Sequence, residues 1–390
     1  MLTSCHSSLI LNLGGNWKTS NQKRMELKKT YLTVAILFSI VTTYNSCNGQ
    51  NTIDKEKIQR KQVSKIDKKP KLDSKSEVIY QDKKNNFWFS SKEKGVYKYD
   101  GEKLTLFNSD DGLGSYRFIS VQEDNLGNLY FDTPEGVYKY DGVKFTILPI
   151  VNNNESESEW KSEPGDLWFR IGWDKSGPYR FDGKNLYHLK FPKNKMEDEF
   201  YKKYPNASFN PYAIYSTYKD SKGNIWFGTS NMGIYLFDGN EISWMYENHW
   251  IETPEGGNFG VRSIGEDKNG NYWICNANYT YTLLPNDGEV DGLKSINYKR
   301  EIGIESKGKE NLYFYSMGAI SNGDLFMFAK EEGLWINNGK ELTQFFIKDF
   351  ERNISPTSIY KDNQGILWLG TDKYGIYKYN GNRFEKFKIK

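Results

Sequence analysis

The chain has 390 residues, enough for one large domain or two ordinary ones, and a formal net charge of +3, too slight to imply a nucleic-acid partner. Aromatic residues make up 16%, with 28 Tyr and 11 Trp beside 35 Gly. Large flat side chains punctuated by glycine favour many short strands joined by tight turns and argue against a helical fold.

The amino-terminal region reads as an address. Residues 1–24 match no export pattern and are expected to lie upstream of a working start at Met25. Residues 25–46 then carry Lys28 and Lys29, an apolar run from Tyr31 to Tyr44 and a polar end, which is the layout of a secretory signal peptide. The run is short for a membrane-spanning helix. Cys47 follows Ser46 directly, so the segment resembles a bacterial lipoprotein signal, with Cys47 as the residue lipidated after cleavage; Tyr44 stands where such signals usually have an aliphatic residue. Cleavage there would leave Cys47 and Cys275 as the only cysteines, with no disulfide framework and no metal or redox motif. Cys275, in the apolar strand pattern "NYWICNA", is expected to be a buried, inert thiol. Residues 47–77 are polar and Lys-rich, too poor in apolar groups to fold, and are expected to form a flexible tether.

From residue 78 to 390 one unit recurs seven times, with blades expected to start near 78, 118, 160, 212, 261, 311 and 356. Each unit offers an apolar strand, a turn of the form Asp-x-x-Gly, a strand beginning with a large aromatic, then an aromatic strand, an Asp-Gly or Asn-Gly pair and a last strand. The aromatic falls at Trp88, Tyr130, Trp168, Trp226, Trp273, Phe326 and Trp368, and these rings are expected to pack between blades. The late turn is read as a two-residue type I′ hairpin with positive φ at both places. Only the fifth copy lengthens it, to "PNDGEVDGL". One four-stranded sheet leaves both faces bare, whereas stacking each unit on its neighbours and closing the series buries them. The expected fold is therefore all-β: a seven-bladed β-propeller of four-stranded antiparallel blades, closed by side-chain packing between the first and last blades, and preceded by a signal peptide and tether. An open solenoid is the alternative.

Two copies, "KDSKGNIWFGTSNMGIYLFDGNEI" and "KDNQGILWLGTDKYGIYKYNGNRF", resemble two-component regulator propeller repeats. The matching positions are Asp220, Gly223, Trp226, Gly228, Thr229, Gly233 and Asp238 in one, and Asp362, Gly365, Trp368, Gly370, Thr371, Gly375 and Asn380 in the other. The resemblance covers about residues 78–390, most strongly the fourth and seventh units. It implies a propeller of the kind found in the extracytoplasmic sensor parts of hybrid histidine kinases, where ligands are often glycans. Because no sandwich domain, kinase or DNA-binding part follows Lys390, it implies the recognition module without a signalling output.

Strand direction places the a–b and c–d turns on one face and the b–c and d-to-a connections on the other, and the long insertions are expected on the latter. Binding residues gather on such loops. Tyr116, Arg117, Trp173, Tyr212, His249, Trp250, Arg262 and Tyr374 are therefore the candidate ligand-binding residues, as rings that stack on sugars and cations that grip anions. No catalytic, cofactor or metal residue is assigned: His188 lies in a strand, and His249 has no Ser or Cys nucleophile beside it. Loop acids Asp110, Asp111 and Glu255 leave a carboxylate pair open. The expected function is binding, without catalysis, of a ligand such as a glycan or of an envelope protein, in a bacterial cell envelope, periplasmic or cell-surface, with membrane contact through the lipid alone and no nucleic acid. A propeller lyase or glycosidase and a structural envelope scaffold are the alternatives.

Overall fold

The computed structural model describes residues 70–151, 160–172, 175–254, 256–285, 288–290, 292–305, 312–319, 323–330, 332–345, 347–349, 352–354, 356–371 and 373–389. The chain divides after Asp67, and every described residue belongs to the second unit, Lys68–Lys390. Cys47, the signal segment and Trp173 lie outside the described residues.

The second unit is a seven-bladed β-propeller. Seven sheets follow one another along the chain, at residues 77–107, 120–147, 167–188, 214–245, 264–302, 316–345 and 356–386. Six of them run a to d in antiparallel order, as in blade 4 with Ile214–Lys219, Ile225–Thr229, Ile234–Phe237 and Ile242–Met245. Alternation of side chains puts apolar groups on both faces of each sheet, so every sheet packs on two neighbours. The expected rings are all buried, Trp168 being the most accessible at 9%.

An acidic hub explains why Asp opens the a–b turn. Asp82, Asp220, Asp267 and Asp362 each accept the indole N–H of the tryptophan six residues on at 2.8–3.0 Å, and Asp124 accepts the Tyr130 hydroxyl at 3.0 Å. The same carboxylates take backbone N–H groups two and four residues on, as Asp82 and Asp220 do. In the third unit Ser162 stands six residues before Trp168, so that hub is missing.

The late turns differ from the type I′ expectation. In blade 1 the strands stop at Tyr99 and resume at Leu104, leaving a four-residue loop, and Gly101 alone has positive φ. Asp100 instead binds the N–H groups of Glu102 and Lys103 through its side chain, a geometry a longer loop allows without a second left-handed residue.

Glycine in the Trp-x-Gly-Thr stretch is dictated by the neighbouring blade. A Cβ on Gly228 would lie 2.3 Å from Ser216 Oγ and 2.5 Å from the Val261 carbonyl of blade 5, and one on Gly370 would lie 2.4 Å from Ser358 Oγ and 2.5 Å from Glu77 Cγ of blade 1. The following threonines close the b–c turn, Thr229 Oγ1 donating to Gly233 O and Thr371 Oγ1 to Gly375 O, both at 2.8 Å.

Blades 7 and 1 meet without a shared strand, so side chains close the ring. Trp368 packs on Phe87 and Phe387, with centroids 4.9 and 5.0 Å apart, within a cluster that includes Val78, Phe89 and Tyr97. The Gln81 N–H donates to Tyr360 Oη at 2.6 Å, Asn363 N–H to Gln81 Oε1 at 2.8 Å, and Thr357 Oγ1 to Glu77 Oε1 at 2.6 Å.

Two blades depart from the repeat. The fifth copy's long c–d connection forms a hairpin, Gly288–Val290 and Leu293–Ser295, that lies parallel on the outer edge of blade 4. The face expected to be plain therefore sends out one insertion of its own. Blade 3 has strands b, c and d at Leu167–Phe169, Tyr179–Phe181 and Leu186–His188, but its fourth strand, Ile150–Val151, pairs parallel to d on the outside.

Candidate functional site

Blade 3 decides where the molecule is hollow. Strand a of blade 1 touches its counterparts in blades 2 and 7, and the same contact runs from blade 4 to 5, 5 to 6 and 6 to 7. The described residues place no such strand in blade 3. Trp160 instead lies between blades 3 and 4, stacked on Trp168 at 6.1 Å and Phe191 at 5.6 Å, and Ser162 N–H donates to Gly239 O in the c–d turn of blade 4. The polar run "NNNESESE" just before Trp160 offers no apolar alternation with which to build an inner strand.

Blade 2 supplies side chains in place of the missing strand. The Gln122 amide takes the backbone of Trp168 as a peptide would: Nε2 donates to Trp168 O, and Oε1 accepts Trp168 N–H at 3.4 Å. Asp132 accepts the N–H groups of Arg170 at 2.9 Å and Ile171 at 3.0 Å. The open edge of blade 3 is thus satisfied, and among the described residues no inner strand stands beside it.

The result is an axial cavity of about 740 Å³, within the usual range of small-molecule sites. Its wall comes from five blades and includes Gln122, Asp132, Trp168, Arg170, Arg262 and Tyr315. Burial pushes the Asp132 carboxyl up to about 6, against the pull of the N–H donors and the Arg170 charge. Burial likewise lowers the Arg170 guanidinium to about 10, and its Nη1 donates to Tyr215 O at 2.8 Å. Nearby, Asp166 and Arg180 form a buried ion pair at 2.7 Å. Arg262 is held by rings: its guanidinium lies 4.4 Å from the Tyr215 centroid, 5.3 Å from Tyr315 and 5.4 Å from Phe259, and Nε donates to Phe259 O at 2.8 Å.

The other candidates named from sequence are scattered. Tyr116, half-buried, accepts Ser109 N–H at 3.1 Å, and Arg117 is exposed beside it. The half-buried Tyr212 donates to Glu197 from the helix Met196–Lys203. Trp250 is fully buried in the packing between blades 4 and 5, its indole donating to Tyr281 Oη at 3.0 Å, so it presents no ligand surface. His249 Nε2 meets the same hydroxyl at 2.8 Å, and burial holds its pKa below the usual histidine value. Tyr374 lines a separate groove beside residues 70–74 and 386–389. Of the eight residues, Arg262 alone among the described ones lines the axial cavity. Sequence reasoning missed Gln122, Asp132 and Arg170 because they sit in or at the ends of ordinary strands.

Residues 208–231 and 351–373, in blades 4 and 7, match the model of the two component regulator propeller. The matched stretches contain Asp220, Trp226 and Gly228 in one blade and Asp362, Trp368 and Gly370 in the other. No curated protein matches the chain. Among solved structures, the extracellular domain of the hybrid two component system BT4673 from B. thetaiotaomicron is similar at TM-score 0.53 and 21% identity, over 80% of this chain and 39% of that one. The chain therefore spans well under half of that domain. Virginiamycin B lyase from Staphylococcus aureus is similar at TM-score 0.52 and 14% identity, over 79% of this chain and 95% of that one. Likeness this distant establishes the shared propeller fold.

Proposed function

We propose that this chain is a recognition module that binds a ligand in its axial cavity and releases it unchanged. The observation that carries this reading is the cavity itself, which lies beside the blade 3 edge that carries no inner strand among the described residues and is walled with charged and aromatic groups. Three facts favour binding over turnover. His188 is tied to Ser176 O at 2.6 Å and stacked on Tyr179. His249 is engaged with Tyr281 outside the cavity wall. Cys275 is fully buried, and burial pushes its thiol up to about 11, far from a reactive thiolate. The similarity to an extracellular domain of a two component system supports an extracytoplasmic site of action, and the signal-like residues 25–46 with Cys47 support lipid anchoring in a bacterial envelope.

The test is a thermal-shift titration of the protein with neutral xylo-oligosaccharides, oligogalacturonates and sulfated galactan fragments, since a ligand of the native state raises Tm. Thr217→Trp, placed on the exposed cavity-facing strand of blade 4, should abolish any shift. A shift that survives this substitution, or sugar recovered cleaved, would refute the reading. Retention of a Cys47→Ser variant in the membrane fraction would separately refute the anchor.

A further inference from the structure

Among the described residues, Arg262 is a cation with no anion. Its Nε is used by Phe259 O, yet its two terminal nitrogens have no acceptor among the described residues, and no carboxylate pairs with it there. The other arginines of this region are committed: Arg180 to Asp166, and Arg170 to Tyr215 O with Asp132 as its electrostatic neighbour. Tyr215, Phe259 and Tyr315 immobilise the Arg262 plane, which removes most of the rotamer freedom that binding would otherwise have to freeze. The seat is packed closely. A Cβ on Gly260, where φ is +70°, would lie 2.7 Å from Ser230 O and 2.8 Å from the Tyr215 ring, so the chain carrying Arg262 can approach Tyr215 only through a glycine.

Four repeat tryptophans give their indole N–H to the turn aspartate six residues earlier. Trp168 has Ser162 at that place, and its ring packs on Trp160, Phe227 and Phe237 between blades 3 and 4. A planar guanidinium fork with both terminal nitrogens open matches the two oxygens of an oxyanion, and such paired, charge-assisted hydrogen bonds are the strong ones.

We propose that the cavity takes a ligand bearing a carboxylate or sulfate group, seated on the terminal nitrogens of Arg262. This inference rests on the axial-cavity reading above and specifies the ligand's charge. Carboxylate and sulfate share the chemistry, and the probes separate them. The experiment is calorimetric titration of the full chain at constant ionic strength with oligogalacturonate, sulfated galactan fragments and neutral xylo-oligosaccharide, repeated for Arg262→Ala, Thr217→Trp and the distant control Arg383→Ala. The expected result is binding of at least one anionic probe that falls about tenfold or more in Arg262→Ala, as loss of a charge-assisted pair implies. It should be lost in Thr217→Trp and unchanged in Arg383→Ala. Anion binding indifferent to Arg262→Ala overturns the inference, as does the failure of every anionic probe to bind. A neutral sugar that binds and is blocked by Thr217→Trp but not by Arg262→Ala overturns the charge assignment alone and leaves the cavity reading standing. Anion binding that survives Thr217→Trp overturns both.

Discussion

Asp220 offers the sharpest test of how the repeat is held together. Its Oδ1 accepts the N–H groups of Lys222 at 3.0 Å and Asn224 at 2.9 Å, while Oδ2 accepts Asn224 Nδ2, the Trp226 indole and the Tyr272 hydroxyl of blade 5, each at 2.9 Å. Trp226 is 0% exposed and Tyr272 1%, so Asp220→Ala strands two buried donors that water cannot reach. At roughly 1–3 kcal/mol for each stranded group, the expected loss is about 4 kcal/mol. For a domain of this size that lowers Tm by about 8 °C, taking about 2 °C per kcal/mol. Asp220→Asn should retain most of the loss, because both oxygens act as acceptors and no flip of the amide restores them. Asp238 in the same blade is the internal control: it is exposed and binds only the N–H groups of Asn240 and Glu241, which water can replace. Its alanine variant should lose about 1 kcal/mol. Calorimetric unfolding of the three variants decides the matter. Equal losses for Asp220→Ala and Asp238→Ala would refute the claim that the a–b aspartate is a buried hub joining two blades.

Three further outcomes follow from the same geometry. Gly228→Ala should destabilise by about 3 kcal/mol, because the added methyl meets the Val261 backbone as well as Ser216, whereas Gly288→Ala, with open space around it, should leave the urea midpoint unchanged. Gln122→Ala should cost about 2 kcal/mol and speed amide exchange at Trp168; unaltered exchange there would show that the side chain does not stand in for a strand. Asp132 has its folded pKa raised to about 6, so between that value and its lower unfolded pKa the native state holds the extra proton and this residue's contribution grows as pH falls. Wild-type Tm should therefore gain on Asp132→Asn between pH 7 and pH 4.5, and a constant difference would remove Asp132 from the account.

The legible part of this protein was whatever depends on neighbours in sequence. Asp-x-x-Gly, the aromatic six residues after the Asp, and the late Asp-Gly each report a local turn, and seven spaced copies report stacking, because one such sheet cannot bury both of its faces. Gly228 was legible as a motif position, though its reason, a carbonyl on the next blade, was not. Among the loop residues, exposure was misjudged where it depended on packing: Trp250 sits on a loop in sequence and in the core in space.

What the sequence by itself determined was the blade and its repeat number, since those are settled by hydrogen bonds spanning two to six residues. The tertiary structure alone decided where the ring is hollow and which cation faces the hollow. Gln122 meets Trp168, and Arg262 meets Tyr215 and Tyr315, only after blades distant in the chain have been brought around one axis, and no local pattern encodes a distance between them.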